Sequence, residues 1–126
     1  MITIDLENNP RLQFRLDSFN VPPESRDEFV RAMQRNLSFI EKLPGFLGHV
    51  VFEKTGGPTN FNLATIAVWE SADAIEAAGA KVREHYQNIG FDVQKTLARL
   101  GVKAEARNYD APAGLQAPAN AARNRS

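Results

Sequence analysis

Cysteine is absent from the 126 residues, which removes disulfides, thiolate nucleophiles, Cys-type zinc sites and Cys-ligated iron–sulfur clusters at once. Any catalysis must use other groups. An excess of either charge is also lacking: 15 Lys and Arg meet 15 Asp and Glu, so no net field draws the chain to phosphate backbones or anionic lipid. Nucleic acid and membrane are therefore not expected as partners. No stretch approaches the roughly 20 apolar residues that span a bilayer, and Met1–Glu7 has no basic region followed by an apolar run. A cytoplasmic setting is expected. No internal repeat is visible.

Hydrophobic residues make up 43% and charged residues 24%, an ordinary globular balance on a length that suits one core without staples. Leu12, Phe14 and Leu16 alternate with Gln13, Arg15 and Asp17, the period-2 pattern of a half-buried strand over Leu12–Asp17. Pro22-Pro23 stops extension, and Ser25 with Glu28 has capping-box spacing, so a helix is predicted from about Ser25. Its apolar stripe is Phe29, Met33, Leu37 and Ile40, and Leu43-Pro44-Gly45 ends it. Phe46–Lys54 and Leu63–Glu70 read as a hairpin joined through the Gly56-Gly57-Pro58 turn. That glycine pair lacks the strand-to-helix context of a phosphate loop.

Ser71 is placed to cap a second helix with Asp73 in its first turn. Its inward stripe is read as Ile75, Ala78, Val82, His85 and Ile89. Gly90 breaks this helix, Asp92 restarts it, Gly101 closes it, and Val102–Tyr109 forms a last strand. The order is the ferredoxin-like βαββαβ pattern, an α+β fold on one antiparallel sheet with helices on one face. The other face needs cover, and apolar residues on both sides of the hairpin strands predict that a second copy supplies it, giving a homodimer. Residues 1–110 are expected to form this single domain. The Ala-, Pro- and Asn-rich residues 111–126 are expected to be a flexible tail, or an arm on the partner.

Leu43-Pro44-Gly45-Phe46, the strand end Val68-Trp69-Glu70-Ser71 and the helix opening right after that serine resemble the antibiotic biosynthesis monooxygenase family, over roughly residues 11 to 110. The resemblance implies a dimeric α+β barrel with a pocket in each subunit between sheet and helices. It also implies kinship with cofactor-free oxygenases of polyketide anthrones and with a heme-degrading branch. Trp69 is similar to the strand tryptophan of the cofactor-free oxygenases, where it could stack on a flat aromatic substrate; packing helix against sheet is its other use. Thr65 and Ile75 stand at about the positions where the family's pattern has an Asn and a Tyr. His85 resembles the late-helix histidine of the heme-degrading branch. The Trp and Asn that accompany it there are missing, with Ala77-Ala78-Gly79-Ala80 in the helix and no Asn in the first strand.

His85 is thus a candidate base and Trp69 a candidate stacking wall, with His49, Tyr86, Thr65 and Phe39 as substrate-lining candidates. Arg15 and Arg107, on neighbouring strands, are expected to pair with Asp17 or Glu105 and stay outside the site. Two histidines without a clustered carboxylate support no metal site. The reading that follows is a cofactor-independent monooxygenase acting on a small hydrophobic aromatic or polyketide-like molecule. A non-catalytic dimeric small-molecule-binding module is the alternative.

Overall fold

The punctuation in the sequence decides where each element stops. A computed structural model describes residues 4–116. The expected arm beyond them, over residues 117–126, lies outside the described residues. Strand β1 spans Gln13–Asn20 and runs three residues past its predicted end, until Pro22 and Pro23 intervene. One turn of 3-10 helix, Pro23–Ser25, leads into α1, Arg26–Ile40. Strands β2 (Phe46–Glu53) and β3 (Leu63–Trp69) form the hairpin, followed by α2 (Ala72–Ile89), α3 (Val93–Leu100) and β4 (Lys103–Tyr109). Gly90 and Gly101 close α2 and α3 in the left-handed conformation that a side chain disfavours. The sheet order is β2-β3-β1-β4, antiparallel throughout, the ferredoxin-like topology expected.

The N-caps divide. Ser71 Oγ accepts from the Ala74 N–H at 3.1 Å and Asp92 Oδ1 from the Lys95 N–H at 3.0 Å, as their spacing predicts. Ser25 does not close a capping box: its side chain caps nothing in α1, and its Oγ–H donates to the Leu100 carbonyl at 2.6 Å. Glu28 pairs with Arg99 instead. Ser25 is therefore a buried tie between the start of α1 and the end of α3. Gly45, with φ +86°, fits where a Cβ would lie 2.6 Å from the Ala74 Cβ, so the turn before β2 packs onto the first turn of α2.

Register sorts the side chains. Arg15, Asp17 and Phe19 of β1 face the helices together with Thr65, Ala67 and Trp69 of β3. Phe19 meets Phe29 of α1 edge to face, centroids 4.9 Å apart, and Val21, Leu63, Leu100 and Val102 complete that core. Each such side chain, fully buried, contributes about 1.5–3 kcal/mol. The opposite face carries Phe14 and Val68, packed with Leu12, Leu16 and Ile66. Val50 and Phe52, register partners of Ile66 and Ala64, stand there at 36% and 51% exposure. Arg107 does not pair with Glu105; its Nη1 donates to Ser18 Oγ at 2.9 Å and its Nε to the Tyr109 hydroxyl at 3.2 Å.

The loop between β2 and β3 is tied at its base. The Asn62 backbone N–H donates to Phe19 O at 3.0 Å, its side-chain amide nitrogen to Val21 O at 2.8 Å, and its Oδ1 accepts from the Val21 N–H at 2.9 Å.

Candidate active site

Between helices α1 and α2 and the sheet lies a gap lined in part by small side chains. Ala67, Ala104 and Ala106 lie on the floor and Ala78 and Gly79 on the roof of a cavity of about 580 Å³, inside the range of about 300–1,000 Å³ usual for ligand pockets. Met33, Leu37 and Ile40 of α1 and Ile75 and Val82 of α2 supply its apolar walls. Trp69, 5% exposed, forms the floor near the start of α2 and meets Phe46 edge to face, centroids 5.4 Å apart.

Four of the cavity's polar groups, Arg15, Asp17, His49 and Thr65, lie on that floor. In register across three strands stand His49, Ala67 and Arg15, and in the next row Thr65 lies beside Asp17. The Arg15 Nε–H donates to Asp17 Oδ1 at 3.3 Å. Burial holds the His49 imidazole below its ordinary value, with the Asp17 charge pulling the other way. Burial also raises the Tyr86 phenol above its ordinary value, and Asp17 adds to the rise. At neutral pH the cavity therefore presents a neutral imidazole able to accept a proton and a neutral phenol able to donate a hydrogen bond.

Of the residues singled out in the sequence, Trp69, Thr65, His49 and Tyr86 line the cavity. His85 and Phe39 do not. Their rings stack on each other, 3.9 Å between centroids and 3° between planes, at the seam of α1 and α2. The stripe that begins Ile75, Ala78, Val82 continues through Tyr86, four residues on, rather than His85, three on. Ile89, the expected end of that stripe, is 57% exposed. Arg15 and Asp17, left out of the site in the sequence, belong to its lining. Among the described residues no group of three or more His, Asp or Glu side chains could hold a metal ion.

The family model described as antibiotic biosynthesis monooxygenase matches residues 15–89. The chain belongs to that family. Solved structures agree in fold. SnoaB, a cofactor-independent oxygenase from Streptomyces nogalater, superposes with a TM-score of 0.61 at 22% identity, over 85% of this chain and 99% of that one. A conserved protein from Methanosarcina mazei Go1 gives 0.61 at 19% identity, over 83% and 98%. A mutant of MhuD with two manganese protoporphyrin IX molecules per active site gives 0.62 at 16% identity, over 84% and 98%. No curated protein matches the chain. A porphyrin held through the late-helix histidine does not fit this family member, because His85 is turned onto Phe39 and away from the cavity. No helix is long and apolar enough to cross a membrane among the described residues.

Proposed function

We propose that this member of the family is a cofactor-independent monooxygenase whose apolar cavity takes a flat, electron-rich aromatic or polyketide-like substrate that itself activates oxygen. The observation that carries the reading is the position of His49 on the floor of the cavity, in the same lining as Trp69 and Thr65, where burial holds its imidazole below the ordinary value. In this reading His49, rather than His85, takes the proton from the substrate. The electrons left on the substrate carbon then reduce dioxygen. One ring methylene and one dioxygen become one ring carbonyl and one water, so the substrate supplies both hydrogens of that water and keeps one oxygen atom. Trp69 is the wall on which the ring lies, and Thr65 and Tyr86 are the hydrogen-bond donors to its oxygens. The convergence of Asp17, His49, Thr65 and Tyr86 supports an enzyme over a passive binding module, which needs no titratable group in its cavity.

The proposal extends to a homodimer formed through the helix-free face of the sheet, supported by the exposed Val50 and Phe52 there, and to a cytoplasmic setting. The test is oxygen consumption with a panel of anthrones and hydroquinones. His49→Ala should lower the rate by roughly 10²-fold or more, the usual worth of a positioned base. His85→Ala should leave it within a few-fold, and Trp69→Phe should weaken binding more than turnover. No uptake by the unsubstituted protein with any of these substrates transfers the reading to the binding module.

A further inference from the structure

The cavity is apolar in its walls but charged in a particular way. Its ionised lining consists of two arginines, Arg15 on the floor and Arg83 on the roof, and one carboxylate, Asp17, so it is net positive inside a chain of zero net charge. Arg83 lies back along α2 over Gly79, where a Cβ would come 3.4 Å from its Nη1. Asp17 accepts from the Nε edge of Arg15, and among the described residues neither Nη group of Arg15 has an acceptor. The pair orients the guanidinium without using its outer fork, which is the geometry that takes a planar two-oxygen anion or an aryl oxyanion. Beside Arg15 is Ala67, whose methyl leaves a trough, and His49 closes the far side, about 10 Å from Arg15 at two strand spacings.

We propose that Arg15 is the anion-binding residue of the cavity, holding an anionic oxygen group of an acidic aromatic ligand over Ala67, with Asp17 as its positioning residue and Arg83 as the second cation above. The inference rests on the small-molecule cavity but needs no oxygen chemistry. It narrows the ligand from a flat aromatic to one that carries a carboxylate or an ionised ring hydroxyl.

Binding without turnover tests it. Anthracene-9-carboxylate and its uncharged carboxamide, of nearly the same shape, are titrated by their fluorescence into the full chain and into Arg15→Gln and Arg15→Lys. The carboxylate should bind the unsubstituted protein roughly tenfold more tightly, the worth of a charge-assisted fork. The preference should vanish in Arg15→Gln and survive in part in Arg15→Lys. A hydroxyanthraquinone, whose visible absorption reports ionisation, distinguishes the two anion types: its hydroxyl should ionise at lower pH when bound, and this shift should be lost in Arg15→Gln. Dependence of either ligand's behaviour on Arg15 supports the assignment and says which oxygen group is held. Equal affinity for acid and amide in the unsubstituted protein, together with an unshifted hydroxyanthraquinone, overturns it. So does a preference that persists unchanged in Arg15→Gln. An intact anion preference with no oxygen uptake would instead retain Arg15's role and remove the oxygenase reading.

Discussion

His49 and His85 are the two histidines of the chain, and their surroundings give them different uses. His85 is spent on a parallel stack with Phe39, whereas His49 sits half-buried over the floor, where burial disfavours its charged form. Because the folded-state value is depressed below that of the unfolded chain, the unfolded state binds the proton first as pH falls. The stability from His49 is therefore complete above the ordinary imidazole value and is lost as pH drops through the lower folded one. The same protonation removes the acceptor, so oxygen uptake should rise to a plateau with an inflexion below pH ~6.5, the ordinary imidazole value. A rate profile in overlapping buffers checks this, and a profile with no inflexion from pH ~6.5 down to the acid limit of folding would show that His49 takes no proton in the reaction. His49 could be placed from the sequence because strands repeat every two residues, and Trp69 and Thr65 because the resemblance to the family marks their positions. His85 could not: a helical stripe has flanks, and which flank meets a neighbouring helix depends on how α1 is seated.

At the scale of elements, the four strands and three α-helices among the described residues were legible from alternation and from glycine, proline and capping residues, which act locally, whereas the 3-10 turns Pro23–Ser25 and Ala113–Leu115 were not. What pattern alone did not reveal was which side of β1 meets the helices. Alternation separates Phe14 and Leu16 from Arg15 and Asp17, but the apolar set turned away from α1 and α2 and the charged set turned toward them. That inversion is why the two charged residues were missed as site residues. Ser25 is the second case, because a bond to Leu100, far along the chain, outcompeted a local cap. Ser25→Ala should therefore lower stability by about 1–3 kcal/mol, the cost of leaving a buried carbonyl unpaired, seen as a lower urea midpoint. Glu28→Ala, which a capping box would make equally harmful, should leave the midpoint essentially unchanged, since its exposed pair with Arg99 is screened. Equal losses in the two variants would restore the capping box.

At the scale of the whole molecule, the helices cover one face of the sheet and leave Val50 and Phe52 on the other partly open to water. A second copy meeting that face would bury both, so sedimentation at micromolar concentration should give twice the 14.0 kDa chain mass, and Phe52→Asp should shift the population to single chains. A single-chain mass for the unsubstituted protein would reject this pairing. The far end of the hairpin has a different character. Asn62 fastens the base of the β2–β3 loop to the end of β1 by three hydrogen bonds, and a Cβ added at Gly56 or Gly57 beyond it would meet nothing within 4 Å. The loop is a permissive splice point: an epitope or a reporter domain grafted at Gly56-Gly57 would hang from ends already held together, leaving the rest of the domain to fold as before.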